Sequence, residues 1–265
     1  MTAERVEFRN GRNQRIAGRL HRADPPASAG AIFCHGLFST KDGYKITRLA
    51  DDIRAAGLTL LAFDFSFVGE SEGRIEDLSI EQEVDDLACA VRFMRGQGFT
   101  RVHLIGSSMG GTVSVLYAAR HADSVDSLVL IATPVDLPGL LYRMTGMRDT
   151  DRLPEEGATV VQGIAINNRF FREIGALDPR GALPGISAPV LVIHGECDDV
   201  VDPENARRIV SGVRGEARLV NIPDGDHNLV RDEDLVVIRA NLIEWLRDRA
   251  FTPPSGAAAS PSVDQ

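Results

Sequence analysis

The sequence predicts an α/β fold in which one doubly wound, mostly parallel sheet of eight strands lies between layers of helices. Short β-like runs alternate with helical patterns along almost the whole chain of 265 residues, as in repeated βα units. Six of these runs are almost entirely apolar, which is typical of strands covered on both faces. Two earlier runs carry more charge and therefore predict the edge of the sheet.

The charged edge strands are expected around residues 6–8 and 15–20, joined by Asn10-Gly11, a dipeptide that favours an antiparallel hairpin. The clearest helix start is Asp202-Pro203, because aspartate is a good N-cap and proline suits the first helical position. The six apolar strands are predicted at 31–34, 58–63, 102–105, 128–132, 190–193 and 217–222. The helices are predicted at about 44–56, 80–97, 109–121, 203–212 and 232–249.

One long segment interrupts the alternation. Residues 136–185 contain no long apolar strand, and within them only 158–166 has the pattern of a small strand or hairpin. An insertion of this length exceeds an ordinary loop and predicts a lid or cap. The core is then formed by residues 1–135 and 186–250. The tail, 251–265, lacks apolar periodicity and is predicted to be disordered.

Composition excludes several classes of partner. The net charge of −9 argues against nucleic acid or an anionic membrane surface. The start of the chain is charged and no segment approaches membrane-spanning length, so neither a signal peptide nor a membrane span is expected. Three scattered cysteines, Cys34, Cys89 and Cys197, favour reduced thiols in a cytoplasmic protein. A homodimer is left open.

The most informative motif is G-x-S-x-G at residues 106–110, with Ser108 at its centre. It follows an apolar strand and opens a helical pattern, which is the context of a serine nucleophile on a sharp strand-to-helix turn. Glycines flank the serine because side chains there would collide with the neighbouring elements. A Gly/Ser-rich turn without chemistry is the alternative interpretation, and the strand-then-helix context argues against it.

A nucleophilic serine needs a base, and His227 is the best candidate among six histidines. It follows the last strand and precedes the last helix, so its loop lies at the carboxyl edge of the sheet. His103 lies inside a strand, and His35 and His194 each close a strand before a glycine, where they are expected to shape turns. His21 lies in the early edge region and His121 ends a helix.

The orienting acid is expected in the loop after the strand at 190–193. Asp198 comes first in that turn and is the leading candidate, with Asp199 as the fallback, because Asp202 is assigned to the helix start. For the oxyanion, the backbone N–H of Met109 directly follows the nucleophile at a helix N-terminus. The second donor is expected from the N–H of Leu37, in the loop after the strand at 31–34.

Taken together, the chain resembles members of the α/β-hydrolase superfamily, and within it small bacterial carboxylesterases of the feruloyl/cinnamoyl esterase and serine-aminopeptidase-like kind. The resemblance implies Ser108 as nucleophile, His227 as base, Asp198 as acid and the amides of Leu37 and Met109 as oxyanion hole. It covers about residues 4 to 249. The motifs that carry it are His35-Gly36-Leu37, Phe63-Asp64-Phe65, residues 69–73, 106–111 and 194–198, and Gly225-Asp226-His227.

The chain departs from its relatives at Ser66 and Phe67, where they usually have arginine and glycine, so the turn or pocket edge there is expected to be unusual. The leading function is a serine hydrolase that cleaves a small-molecule carboxylic ester through an acyl-enzyme intermediate. Phe38, Met144, Phe170 and Phe171 are candidates for an apolar or aromatic acyl pocket, with packing of the lid on the core as the equal alternative.

Other functions remain open on the same triad, because one fold supports many chemistries. Thioester or amide hydrolysis, C–C bond hydrolysis and acyl transfer use the same groups, and a non-catalytic ligand-binding protein is the alternative from another class. No cofactor is expected. A metal site is not expected either, since no two histidines share a helical face and no Cys/His cluster is present. The glycines near Gly106 lack the lysine of a phosphate-binding loop.

Overall fold

The computed structural model describes residues 3–148 and 150–251 of the chain. The strands of this part are β1 (Glu4–Arg9), β2 (Arg15–His21), β3 (Ala29–Cys34), β4 (Thr59–Phe63), β5 (Arg101–Ser107), β6 (Ser127–Ile131), β7 (Ala158–Val161), β8 (Ile164–Asn167), β9 (Val190–Gly195) and β10 (Ala217–Ile222). Eight of them form one sheet in the order β1-β2-β4-β3-β5-β6-β9-β10, and β7 pairs with β8 separately. The predicted eight-stranded sheet is confirmed.

The sheet is parallel except at one edge. β1 pairs with β2 and β2 pairs with β4 in antiparallel fashion, and every other neighbouring pair is parallel. The predicted edge hairpin around Asn10-Gly11 is therefore confirmed. Because parallel strands run in one direction, β3, β5, β6, β9 and β10 bring their carboxyl ends to the same edge of the sheet.

Helices cover both faces of this sheet. The helices of the described residues are α1 (Tyr44–Ala55), α2 (Ile80–Gly96), α3 (Met109–Arg120), α4 (Leu137–Thr145), α5 (Asn168–Ala176), α6 (Pro179–Ala182), α7 (Glu204–Gly212) and α8 (Asp232–Phe251). The start predicted at Pro203 is one residue early, since α7 begins at Glu204, whose N–H donates to the Asp202 carboxylate at 2.9 Å. Of the predicted tail, Phe251 ends α8 and residues 252–265 lie outside the described residues.

The central strands of the large sheet contribute to two separate cores, one on each face. Ile32 and Leu104 pack into a core with α2, α3 and the insertion, whereas their neighbours Phe33 and Ile105 pack into a core with α1 and α8. Successive side chains of a strand point to opposite faces, so both faces must be apolar when both are covered. This double burial is the physical reason why the strands have continuous apolar runs.

The insertion, residues 136–185, consists of short helices and one small hairpin. It contains α4, the antiparallel hairpin β7–β8, α5 and α6. The hairpin confirms the prediction for residues 158–166. Phe170 and Phe171 of α5 are buried in the same core as α2 and α3, so the insertion packs on one face of the sheet. The division of the chain into a core and a lid stays a prediction.

The unusual pair Ser66-Phe67 has a structural consequence. Phe67 adopts φ = 82°, in the left-handed region that favours glycine, so the turn at this position is strained. Ser66 is buried, and both its N–H and its hydroxyl donate to the Asp86 carboxylate, at 2.7 and 3.0 Å. The segment after β4 is therefore fixed to α2 by a buried carboxylate.

Glu83 generates a prediction about stability. It is buried on α2, and burial together with the nearby carboxylates of Asp86 and Glu173 raises its pKa well above 4.5. Above about pH 4.5 the unfolded chain releases this proton while the folded protein keeps it, so stability falls as pH rises toward the folded pKa. Glu83→Gln removes this titrating group. The free energy of unfolding of the variant, relative to that of wild type, should therefore increase from pH 5 to pH 8.

The gain is at most about 1.4 kcal/mol per pH unit, measured by urea unfolding. Glu81→Gln is the matched control on the same helix. Glu81 is ion-paired with Arg120, which lowers its pKa, so its loss destabilises at all these pH values and produces no gain. A constant difference between Glu83→Gln and wild type across this pH range would contradict the prediction.

Candidate active site

Ser108 lies on a sharp turn between β5 and α3. Its backbone angles, φ = 51° and ψ = −122°, are unfavourable for a residue with a side chain. A Cβ on Gly106 would lie 2.5 Å from the Cα of Gly111, and a Cβ on Gly110 would collide with the carbonyl oxygen of Cys34. Only glycine therefore allows α3 to start this close to the strands, and the resulting turn leaves the serine half-buried rather than enclosed.

The structure brings Ser108, His227 and Asp198 together in one hydrogen-bonded chain. The Ser108 Oγ lies 3.0 Å from Nε2 of His227, and Nδ1 of the same ring lies 2.9 Å from Oδ2 of Asp198. These are hydrogen-bond distances, and they match the order nucleophile, base and acid. A carboxylate accepts at Nδ1, so Nε2 is left free to take a proton from the serine.

The loops that carry His227 and Asp198 are packed backbone to backbone. The N–H of Cys197 donates to the carbonyl of Gly225 at 2.9 Å, and a Cβ on Gly195 would collide with that same carbonyl. The glycines at the ends of β9 and β10 thus allow the two loops to touch. This contact holds His227 beside Asp198, although the two residues are 29 positions apart in the sequence.

Asp198 is buried and fully hydrogen-bonded. Its Oδ1 accepts from the N–H groups of Val200 and Val201, at 3.0 and 2.8 Å. Its Oδ2 accepts from His227 and lies 3.2 Å from Nε2 of His194. Burial acts to raise the pKa of Asp198, but these hydrogen bonds outweigh it and hold the pKa well below the usual range. The fallback candidate Asp199 is exposed to solvent.

His194 has a contact that the sequence analysis missed. It was expected to shape a turn, but it lies in β9, buried, with Nε2 between Asp198 Oδ2 and the carbonyl oxygen of Val201 at 3.1 Å. Because both neighbours are acceptors, Nε2 carries the proton and donates to them. His194 and Asp198 are four residues apart in the sequence, but this spacing predicts contact between two side chains only within a helix. Here the two residues span the end of a strand, so the sequence did not predict their contact.

The loop after β3 lies against the serine. A Cβ on Gly36 would be 3.2 Å from the Cβ of Ser108, so this loop passes directly beside Ser108. The buried His35 ring anchors its start, accepting from the N–H of Phe65 at 3.1 Å and donating to the Gly36 carbonyl at 2.9 Å. The two predicted oxyanion donors, Leu37 and Met109, both border the cavity that contains Ser108.

A buried cation holds the other end of this loop. The Lys41 ammonium is only 4% exposed and lies 2.9 Å from Asp64 and 2.7 Å from Glu70. The N–H of Lys41 also donates to Asp64, at 2.7 Å. The loop from Gly36 to Lys41 is therefore tied at both ends to the segment that follows β4, and its amides are held in a fixed position beside Ser108.

A cavity of about 400 Å³ opens at Ser108 and His227. All four predicted pocket residues, Phe38, Met144, Phe170 and Phe171, border it. Its volume lies in the usual range of small-molecule sites. One of its walls is apolar and comes mainly from the insertion, and the other comes from the start of α1 and includes Lys45. Lys45 is a second residue at the cavity that the sequence analysis did not identify. A lysine in the first turn of a helix is unfavourable, so its position in the predicted helix could have marked it as a candidate.

Within residues 3–148 and 150–251, no group of three or more His, Cys, Asp or Glu side chains is arranged to hold a metal ion. A mechanism without metal or cofactor stays a prediction. No helix in the same part of the chain is both long and apolar enough to cross a membrane.

A family model described as alpha/beta hydrolase fold matches residues 32–159. Human serine hydrolase BPHL is 27% identical over 188 residues, which are 64% of this chain and 64% of that protein. The bovine mitochondrial palmitoyl-protein thioesterase ABHD10 is 25% identical over 234 residues, covering 80% of this chain and 71% of that protein. Est1E from Butyrivibrio proteoclasticus, solved with ferulic acid bound, has a TM-score of 0.84 at 18% identity, covering 92% of this chain and 98% of that chain. These likenesses confirm the predicted fold class.

The contact between His194 and Asp198 predicts that a substitution of His194 changes the pKa of Asp198. His194→Phe keeps a ring but removes a donor to the ionised carboxylate, so the pKa of Asp198 should rise toward its ordinary value by about one pH unit or more. The measurement is a ¹³C NMR titration of the aspartate carboxyl carbons, in which the Asp198 signal is identified by its loss in Asp198→Asn.

Two controls accompany this titration. His194→Gln retains an N–H donor and should raise the pKa of Asp198 less than His194→Phe does. Asp199→Asn changes the exposed neighbour and should leave the Asp198 signal in place. An unaltered pKa of Asp198 in His194→Phe would mean that His194 does not act on the carboxylate.

Proposed function

We propose that the chain is a serine hydrolase of the α/β-hydrolase superfamily that cleaves carboxylic esters through an acyl-enzyme intermediate on Ser108. The observation that carries this proposal is the continuous chain of hydrogen bonds from Ser108 through His227 to Asp198, which opens on a mainly apolar cavity. A surface serine with a loop histidine nearby would have neither the buried acid nor the cavity.

Each residue has a defined role in the proposed mechanism. Ser108 Oγ attacks the ester carbonyl while Nε2 of His227 takes its proton, and Asp198 stabilises the resulting imidazolium. The N–H groups of Leu37 and Met109 donate to the oxyanion that develops on the carbonyl oxygen. His227 then protonates the departing alcohol. In the second half, His227 activates a water that attacks the acyl-enzyme and releases the acid.

The cavity supports a preference for small to medium apolar or aromatic acyl groups. The apolar wall contains aromatic rings at Phe170 and Phe171 and a flexible thioether at Met144, which can adapt to different shapes. About 400 Å³ accommodates an acyl group of moderate size rather than a long lipid chain in full. The insertion that supplies this wall is proposed to act as the lid of the site.

Thioester hydrolysis is the second candidate, and one observation favours it. The palmitoyl-protein thioesterase relatives match about 80% of this chain, and the triad attacks thioesters by the same steps. Amide hydrolysis, C–C bond hydrolysis and acyl transfer also use this triad, but no contact in the site favours them. The cytoplasmic location suggested by three free cysteines, and a homodimer, stay predictions.

The nucleophile is tested with p-nitrophenyl esters of increasing acyl length, a cinnamoyl-type ester and a thioester of the best acid. Wild type should hydrolyse the short and medium esters, and Ser108→Ala should lose nearly all activity, on the order of a million-fold, because the covalent step is removed. Ser107→Ala is the matched control at the adjacent serine and should keep activity within about tenfold of wild type. Equal activity in wild type and Ser108→Ala would exclude Ser108 as the nucleophile.

The apolar wall is tested at Met144, which borders the cavity from α4. Met144→Trp adds bulk to the wall, so kcat/KM for an eight-carbon acyl ester should fall about tenfold or more relative to a four-carbon ester. Tyr142→Trp on the same helix is the control, because Tyr142 is 42% exposed and lies outside the cavity lining. If both esters lost activity equally, this wall would not bind the acyl chain.

A further inference from the structure

The two walls of the cavity differ in chemistry and in exposure. The apolar wall is made of residues buried in the core between the sheet and the insertion, including Phe170, Phe171 and Ile174. A second wall, which we call the α1 wall, consists of Gly43, Tyr44, Lys45, Ile46 and Val230. Tyr44 is 43% exposed and Val230 is 40% exposed. The α1 wall therefore includes two solvent-exposed side chains, whereas these three residues of the apolar wall are buried.

Lys45 brings a positive charge without a partner into this wall. Within the described residues it has no hydrogen bond or ion pair to its ammonium group. The only other lysine of the chain, Lys41, is by contrast surrounded by three carboxylates. Burial lowers the pKa of Lys45, and the carboxylates of Asp226, Asp198 and Asp234 only partly oppose this effect.

Those three carboxylates are already engaged elsewhere. Asp198 accepts hydrogen bonds from His227 and from backbone groups, as described above. Asp226 accepts from the N–H of Leu229 at 2.8 Å. Asp234 is buried and pairs with Arg231. None of them lies within ion-pair distance of Lys45, so the charge is left for a group that enters the cavity.

The helix that carries Lys45 adds to the same positive field. α1 begins at the cavity with Gly43 as its N-cap, so no side chain caps it, and its first turn has no acidic residue. The N-terminus of a helix carries partial positive charge, which makes a lysine in the first turn unfavourable in the absence of an anion. Twelve residues of helix therefore direct their dipole toward the same space as an unpaired ammonium group.

We propose that Lys45 and the first turn of α1 form a subsite for an anionic group on the leaving alcohol or thiol of the substrate. The inference rests on the proposed function. The preferred substrates of the protein are then esters or thioesters formed from an apolar acid and an alcohol or thiol that carries a carboxylate or phosphate. The leaving group is assigned to the α1 wall because it must depart before water can deacylate the enzyme, and Tyr44 and Val230 of this wall are exposed to solvent.

The test compares two esters that differ by one carboxylate on the leaving group, p-nitrophenyl butyrate and 3-carboxy-4-nitrophenyl butyrate. The measured quantity is the ratio of their kcat/KM values, acidic over neutral, which cancels any general effect of a variant on folding or on the triad. Wild type should favour the acidic ester. Lys45→Met should lower the ratio roughly 10- to 100-fold, the usual effect of losing a hydrogen bond to a charged group.

Two matched variants control for charge. Lys45→Arg keeps the positive charge and should keep most of the preference. Arg48→Met removes a positive charge one helical turn further along α1, at an exposed position outside the cavity lining, and should change the ratio less than about threefold. A loss of preference in Arg48→Met equal to that in Lys45→Met would overturn the subsite, because it would show only a general charge effect.

The remaining outcomes also decide the inference. A wild-type enzyme without preference for the acidic ester, or a preference that survives Lys45→Met, overturns it while the proposed hydrolase stands. A Lys45 effect confined to esters with a carboxylate on the acyl chain overturns the assignment to the leaving group. If wild type hydrolyses neither ester, the proposed function fails. Calorimetric binding of 5-hydroxy-2-nitrobenzoate then decides the subsite: weaker binding to Lys45→Met than to wild type supports it, and equal binding overturns it.

Discussion

Ser108 can stand clear of the backbone because β5, α3 and the end of β3 approach each other more closely than any side chain would allow. Glycine at 106 and 110 removes the atoms that would collide with the neighbouring backbone, and the unfavourable φ of Ser108 is then maintained by the packing around it. The backbone N–H of Ser108 donates a hydrogen bond to the carbonyl oxygen of Ile131 in β6, at 2.8 Å. The two-sided burial of the sheet thus supplies the rigidity that a strained turn requires.

The second constraint is the buried charge of Asp198. A carboxylate is costly to bury unless its oxygens are hydrogen-bonded, and here four donors from the β9 loop, His194 and His227 surround it. The same contacts fix the imidazole of His227 opposite Ser108. Asp198 therefore couples the stability of the β9 and β10 loops to the geometry of the proposed catalytic base, and His194 supports this arrangement from inside the strand.

The cavity combines the proposed catalytic residues with two walls of different chemistry. The proposed nucleophile and base lie at the sheet edge, as in other parallel α/β proteins, where loops after the strands converge. The apolar wall comes from an insertion that is buried against α2 and α3, whereas the α1 wall brings the Lys45 ammonium, which has no partner among the described residues, beside a helix N-terminus. In the proposed function, substrate selection is thus assigned to two elements that are separate from the proposed triad.

The sequence alone determined the parts that rest on local pattern. Continuous apolar runs predicted the buried strands, and the position of 106–110 between a strand and a helix predicted the turn at Ser108. The structure of the insertion beyond its small hairpin, the contact of His194 with Asp198 and the unpaired state of Lys45 were decided only by the tertiary structure. Each depends on which distant loops meet at the sheet edge: the Asp226 carboxylate that influences Lys45 lies on the loop after β10, far away in the chain. Local periodicity specifies how a segment folds, but the partners of a buried charge are set by packing between segments.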